Sequence, residues 1–378
     1  MTRLGALKVR GPFRGGTGYD YHTRSFVRAF LALGIAVELE ECEWWSAPLP
    51  SPLQDALFAE LSTPVGARVQ VQFVMPHQVV VTPGLATANY TMFEATPVPR
   101  DWERVALRLP VTIVPSRSSW NAWAASGVPT DRLRVCPLGV RPGLDDPDVR
   151  PLPVFDRLGR PVAEYTYRFL NVAEVIARKN LLGILETWMR ATSPDDDAVL
   201  ILKVNRFRPG AWEMFQVDLA EACKRMRTTL AQAAPIVLVT EYLHDEQMPS
   251  LYKAATHYVS LSFGEGWDLP MTEAAAAGLD LIAPQHSAYL DYLDDQTAHL
   301  VPRVEVVVDP ARGRLAQVDA VLFAGANWWA PDHDEAAAVL RDVIDGRAPA
   351  KTSPQRRMVE EFSWENVSRR LVAILREL

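Results

Sequence analysis

The sequence predicts an α/β protein made of two open units, each with a parallel sheet, and three observations lead there. Short apolar runs of strand length alternate with helical apolar periodicity along nearly the whole chain, the pattern of strands linked through helices into parallel sheets. A length of 378 residues corresponds to two domains, or at most three, at roughly 100 to 200 residues each. Between two such cycles, residues 141–165 begin Arg-Pro-Gly-Leu-Asp-Asp-Pro-Asp-Val-Arg-Pro-Leu-Pro, too rich in Pro and Asp for a packed element.

The first cycle opens with a strand at 6–9, a glycine-containing turn, a helix at 19–33 and a strand at 36–39. Further buried strands are expected at 69–74, 87–91, 111–114 and 133–136, each followed by turn residues. After the Pro- and Asp-rich stretch come strand 168–172, helix 181–191, strand 199–204, helix 211–230 and strand 236–239. A short helix at 247–254, strand 257–261, helix 272–277 and strand 281–284 follow. The tail, 356–378, reads as amphipathic helix broken near Ser363, with Val367, Leu371, Ile374 and Leu378 at helical spacing. The expected domains are therefore 1–150 and 166–355, with 151–165 as linker. Open parallel sheets bind ligands outside the carboxyl ends of their strands, so a site drawing on both halves is expected there.

Composition narrows the function. Lys plus Arg number 39 against 46 Asp plus Glu, a formal charge of −7, so no overall cationic field gathers nucleic-acid phosphates or anionic lipid. No stretch approaches the run of about 20 apolar residues that a membrane span needs. Arg3, Lys8 and Arg10 interrupt the first residues, where a signal peptide has an unbroken apolar core. A cytoplasmic protein is expected, with peripheral membrane contact left open and the oligomeric state undetermined. Cys42, Cys136 and Cys223 form no Cys-x-x-Cys and suit a reducing compartment.

The histidines show no His-Glu-x-x-His spacing, and neither a Gly-x-Ser-x-Gly elbow nor a Walker loop is present. Asp195-Asp-Asp197, Asp146-Pro-Asp148 and Asp332-His-Asp334 read as loop and helix-cap aspartates, so no metal and no cofactor are expected. Trp44, Trp45, Trp120, Trp123 and Trp267 are candidates for stacking on the ring faces of a ligand; packing accounts better for most of them, and Trp267, inside the loop after strand 257–261, is the exception.

The most specific segment is Ser262-Phe-Gly-Glu265-Gly266-Trp267-Asp268-Leu269-Pro-Met-Thr-Glu273-Ala-Ala-Ala-Ala-Gly278. It follows a strand and opens a helix, placing loop amides and a helix N-terminus where an anion is favoured. Glu265 on the loop and Glu273 in the helix can accept hydrogen bonds from sugar and ribose hydroxyls while the amides hold phosphates. The segment resembles the Glu-x7-Glu signature of retaining glycosyltransferases of family 4. The resemblance implies a GT-B fold, two Rossmann-like domains facing across a cleft.

Other segments extend the likeness over nearly the whole chain. Gly15-Gly16-Thr-Gly-Tyr19 is similar to the family's N-terminal glycine loop near the donor phosphates, and Pro137-Leu-Gly-Val140 to its Pro-x-Gly-Val turn. Residues Phe169 to Asn180 resemble the start of the nucleotide-binding domain, here 166–355. Phe362-Ser-Trp-Glu365 and the helix after it (about 360–378) resemble the segment that packs back on the first, acceptor-side domain.

Two departures stand out. Where the family usually has Gly-Arg this chain has Ala173 and Glu174, so Arg178 or Lys203 is the candidate for the missing charge. The first half carries Tyr90-Thr-Met-Phe-Glu94 followed by Pro99-Arg-Asp-Trp102, which resembles a subgroup with Thr-Met-Phe-Glu. Glu94 is a candidate to bind hydroxyls or to take the acceptor proton. Ser116 is a candidate helix cap.

The resemblance implies transfer of a sugar, with retained configuration, from a UDP- or GDP-linked donor to a hydroxyl of a glycan, glycolipid or small molecule. Arg178, Lys179, Glu265 and Glu94 would serve catalysis, with Lys179 matching the family's diphosphate lysine. Gly15, Gly16, Lys203, Gly266, Trp267, Asp268, Leu269 and Glu273 would hold the donor. Two alternatives remain: a sugar-nucleotide epimerase of the same architecture, and a non-catalytic sugar-nucleotide or glycan-binding partner in a synthesis complex.

Overall fold

A computed structural model describes residues 4–42, 58, 60–205 and 208–378; Trp44 and Trp45 lie outside the described residues. The chain forms two compact units, Met1–Val140 with Glu360–Leu378, and Arg141–Val359.

In the first unit β1 (Ala6–Gly11), β2 (Ala36–Glu41), β3 (Val69–Phe73), β4 (Ala86–Tyr90), β5 (Val111–Val114) and β6 (Leu133–Val135) form one parallel sheet in the order β2-β1-β3-β4-β5-β6. Helix α1 (Gly18–Ala32) follows β1, and α2 (Arg100–Ala106) and α3 (Arg117–Ala125) flank β5. Ser116 caps α3, accepting the Ser119 N–H. Alternation along β1 buries Leu7 and Val9, and Phe26, Phe30, Phe73, Ile113 and Trp123 of the same unit are wholly buried. Sequence periodicity missed α2 and gave α3 only its cap, because these short helices bury few residues and lack a strong apolar stripe.

The second unit carries β7 (Tyr167–Glu174), α4 (Leu181–Ala191), β8 (Ala198–Asn205), α5 (Ala211–Met226) and β9 (Ile236–Val239). It continues with α6 (Met248–Lys253), β10 (His257–Val259), α7 (Leu269–Ala276), β11 (Asp280–Pro284), α8 (Tyr289–Tyr292) and β12 (His299–Val301). The sheet order β12-β11-β10-β7-β8-β9 is parallel throughout. Numbered within the unit it is the 3-2-1-4-5-6 order of a Rossmann sheet, whose ligand crevice lies where the order reverses, here between β7 and β10. Phe169, Leu200, Leu202 and Val259 from the strands pack with Leu181, Ile184, Leu185 and Trp188 of α4.

The stretch 151–165, expected from composition to be a linker, belongs to this unit. Asp156 organises it: its carboxylate accepts the Leu158 and Arg160 N–H groups and, at 2.6 Å, the Tyr165 hydroxyl. Val162 and Tyr165 are buried. Proline and aspartate here build a packed turn.

Beyond β12 lie an antiparallel ribbon of β13 (Arg303–Val307) and β14 (Asn327–Pro331), with α9 (Arg314–Phe323) between them and α10 (His333–Ile344) after them. Asp332 caps α10 through the Asp334 and Glu335 N–H groups. The tail forms α11 (Gln355–Glu361) and α12 (Trp364–Leu375), broken at Ser363, which caps α12. No described helix is long and apolar enough to cross a membrane.

Candidate functional site

At the carboxyl end of β10 the chain leaves the sheet and turns through residues 260–268 before α7. Beside it, at the end of β7, the short turn Ala177–Lys179 leads into α4. Asn180 ties the two together. It adopts a left-handed conformation (φ 51°), caps α4 by accepting the Gly183 N–H, and donates through Nδ2 to the Leu261 carbonyl at 2.8 Å. The Phe263 N–H donates to the Arg178 carbonyl at 2.8 Å, so the two loops form one rim over the switch point of the sheet.

This rim concentrates charge. Glu265, only 4% exposed, pairs with Lys179 Nζ (2.7 Å) and Arg178 Nη1 (3.0 Å). The Ser262 hydroxyl donates to its Oε1 at 2.7 Å. Burial alone would raise this carboxyl, but Lys179 and Arg178 together outweigh it and hold the pKa down at about 2. Burial likewise opposes the charge on Lys179, and Asp268 with Glu265 reverses the effect, so the ammonium is stabilised.

Asp268 is left-handed as well (φ 64°) and stands at the N-cap position of α7, yet makes no side-chain cap. Its carboxylate instead accepts the Tyr289 hydroxyl at 2.7 Å and faces Lys179 Nζ at 3.4 Å. Burial raises its pKa against the pull of Lys179. The α7 N-terminus is thus left without a side-chain cap, an arrangement that favours an external anion.

Arg178 is fixed further by donating to the Gly264 carbonyl and, through its backbone N–H, to Asp319. Arg208 pairs with the same Asp319 at 2.8 Å. Glu174 lies half-buried at the end of β7; burial raises its carboxyl, with Arg208 and Arg178 opposing.

Lys203 belongs to a separate contact. It is 2% exposed on β8, and its Nζ donates to Asn205 Oδ1 at 2.6 Å. Burial lowers its pKa to about 8, with Glu241 opposing. Gly266 is buried on the loop and Leu269 is the first residue of α7. Trp267 is 2% exposed and packs on Tyr292, whose hydroxyl donates to the Trp267 carbonyl, so its indole is part of the core.

Glu273 sits in a second network. Arg141 Nε donates to its Oε1 at 3.2 Å and the Tyr252 hydroxyl to its Oε2 at 2.9 Å, while Arg141 also pairs with Asp245. Glu273 is 2% exposed, and burial raises its pKa against the opposing charge of Arg141. Glu265, Asp268, Arg178 and Lys179 therefore share one cluster, and Glu273 is held apart from it by different partners. Sequence reading missed Arg141, Tyr252 and Tyr289: isolated residues far along the chain leave no local pattern.

In the first unit, the loop between β1 and α1 closes on itself. Asp20 accepts the Gly15 N–H (2.7 Å), the Thr17 N–H (3.1 Å) and the Thr17 hydroxyl (2.5 Å). Arg24 donates to the Phe13 and Gly15 carbonyls. An internal carboxylate thus occupies amides at Gly15 and Thr17 that an anionic ligand would otherwise use; Gly16 lies between them, half-buried. Glu94 is half-buried after β4 and acts electrostatically on Tyr19, whose hydroxyl accepts the Met92 N–H. Trp123 is wholly buried. Trp120 is half-buried beneath the Arg117 guanidinium, 4.9 Å from the ring centre.

No protein-family model matches the sequence, and no curated protein matches it. Solved structures do resemble it. Anabaena HepE in complex with UDP-glucose superposes with a TM-score of 0.63 at 11% identity, over 99% of this chain and 100% of that one. Sucrose-phosphate synthase from Thermosynechococcus elongatus gives 0.60 at 14% identity, over 98% of each chain. The lipopolysaccharide outer core galactosyltransferase WaaB gives 0.60 at 10% identity, over 99% and 100%. The fold is thus of the GT-B class, two Rossmann-like units with parallel six-stranded sheets.

Proposed function

We propose that this protein is a retaining, metal-independent glycosyltransferase using a UDP- or GDP-linked sugar and a hydroxyl acceptor. The observation that supports it most is the cluster of Arg178, Lys179, Glu265 and Asp268 beside the uncapped N-terminus of α7, at the switch point of the second sheet. The solved relatives whose names specify UDP, UDP-glucose or galactosyl transfer make a nucleotide-sugar donor the natural candidate.

In this reading the bond between the anomeric carbon and the diphosphate breaks as the acceptor oxygen bonds to the same face. Charge accumulates on the leaving diphosphate, and Lys179, Arg178 and the amides at the start of α7 are the groups fit to neutralise it. Glu265, held ionised by those cations, accepts hydroxyls of the sugar, and Glu273 accepts those of the ribose. Glu94 serves the acceptor side and takes its proton.

The test is calorimetric titration with a panel of UDP- and GDP-sugars, then incubation with hydroxyl acceptors and product analysis by NMR. The expected outcome is a new glycosidic bond with the donor's anomeric configuration, undiminished by EDTA. Inverted product would remove the retaining assignment. Rearrangement at the sugar's own carbons would establish an epimerase, and binding without turnover would establish a non-catalytic partner.

A further inference from the structure

We infer that His286 and Ser287 are positioning residues for Glu265, clamping both ends of the 262–265 loop through a hydrogen-bond chain that runs in one direction. The pair lies just after β11 and is buried, at 2% and 8% exposure. The His286 ring stacks on Trp329 (5.5 Å between centres, 20° between planes) and meets Tyr289 edge-on, so its plane is fixed. Its Nε2 lies 2.9 Å from the Ser262 carbonyl oxygen. A carbonyl only accepts, so Nε2 carries the proton, and in the neutral ring Nδ1 is an acceptor.

The Ser287 hydroxyl, 2.8 Å from Nδ1, must then donate to it. With its hydrogen committed there, Ser287 Oγ accepts the Glu265 N–H at 3.2 Å. The chain therefore runs from the Glu265 amide through Ser287 and His286 to the Ser262 carbonyl. It closes on itself, because the Ser262 hydroxyl donates to Glu265 Oε1 at 2.7 Å. One ring of contacts thus fixes both the backbone and the carboxylate of Glu265, the residue that pairs with Lys179 and Arg178.

Ser287 holds this place in a left-handed conformation (φ 44°) that favours glycine. Ser287→Gly therefore deletes the hydroxyl while relieving the backbone, which separates positioning from stability. Its influence on rate rests on the glycosyltransferase reading; its influence on the loop does not.

The experiment compares wild type with Ser287→Gly and His286→Gln by thermal unfolding, by amide hydrogen exchange at Glu265, and by steady-state kinetics with the preferred donor. Ser287→Gly should melt no lower than wild type, exchange Glu265 faster, and lose about tenfold in kcat with a smaller change in KM, the worth of one hydrogen bond. His286→Gln retains a donor for Ser262 but loses the ring nitrogen facing Ser287, and should fall between the two in exchange. Unchanged exchange at Glu265 in Ser287→Gly overturns the inference whatever the activity, as does faster exchange with wild-type kcat. A wild-type protein that turns over no donor overturns the glycosyltransferase reading instead, and exchange at Glu265 still decides the clamp.

Discussion

Lys179 and Glu265 stand 2.7 Å apart in a nearly dry site, and that closeness cuts two ways. A buried pair costs desolvation, and removing one partner leaves the other's charge uncompensated. Lys179→Ala should therefore reduce turnover by about 10² to 10³, by analogy with the loss of one oxyanion donor, and should also release Asp268 toward its neutral form. Glu273→Ala should weaken donor binding while leaving the Glu265 cluster intact, since Arg141 and Tyr252 hold Glu273 separately. Calorimetry and single-turnover kinetics on both variants check this, and full activity in both would remove the site assignment.

Buried histidines lower acid stability, and His22 is the one with no hydrogen-bond partner for either ring nitrogen among the described residues. His22 is wholly buried among Tyr19, Phe26, Phe73 and Tyr90. Burial lowers its pKa to about 3, below the usual value of about 6.5. Between those values the unfolded chain binds a proton that the folded chain refuses, so stability falls as pH drops below about 6.5 and the loss is complete near 3. His22→Phe removes that penalty and should gain about 2 kcal/mol more at pH 5 than at pH 7, since one pKa unit is worth about 1.4 kcal/mol. Urea unfolding at the two pH values measures it; equal gains would show that His22 does not titrate on unfolding.

Among the elements, α4 shows how a helix start serves a site. Its cap Asn180 joins the Arg178–Lys179 turn to the exit of β10, and Gly183 makes room for that cap. A methyl group at Gly183 would collide with His333 Cε1 and lie 2.5 Å from Asn180 Oδ1. Gly183→Ala should cost about 2 kcal/mol or more, from overpacking and a displaced cap, and should weaken donor binding in step. An unaltered urea midpoint would show that the cap adjusts freely.

Where elements bury a regular face, the sequence showed them: β5, α4 and β9 fall at the expected residues. Helix α7 starts at Leu269, three residues before the expected start, with Pro270 in its first turn, a position where proline is at home. Helix α5 stops at Met226, short of the expected 230, as Arg227 turns left-handed (φ 55°). Strand β13 was invisible because it is mostly exposed, with Val304 63% and Val307 64% accessible, and no core face shapes its pattern.

On the scale of the whole molecule, the C-terminal helix completes the first unit from the far end of the chain. The Trp364 ring lies edge-on to Phe26 and Tyr21, and the Val140 N–H donates to the Phe362 carbonyl at 2.7 Å. Phe362, Val367, Leu371, Val372 and Leu375 are each at most 5% exposed. At roughly 1.5 to 3 kcal/mol per buried side chain, they match the whole stability of an ordinary domain. Deleting Glu360–Leu378 should abolish the calorimetric transition of the first unit and leave that of the second. Gly139→Ala is the milder version, since its methyl would lie 2.5 Å from Cδ2 of Trp364. Two undiminished transitions in the deletion would show that the tail is dispensable.

The sequence by itself determined the α/β class, the order of the main strands and the loop from Glu265 to Glu273, because apolar periodicity and turn chemistry act between near neighbours. It also placed Arg178 and Lys179 on the loop that follows a strand. Only the tertiary structure decided that these cations meet Glu265 and Asp268, that Arg141 and Tyr252 hold Glu273, and that Asp20 fills the amides of the glycine loop. Such partners are chosen by sheet order and burial, which join residues as far apart as Arg141 and Glu273, and no local pattern encodes a contact made across that distance.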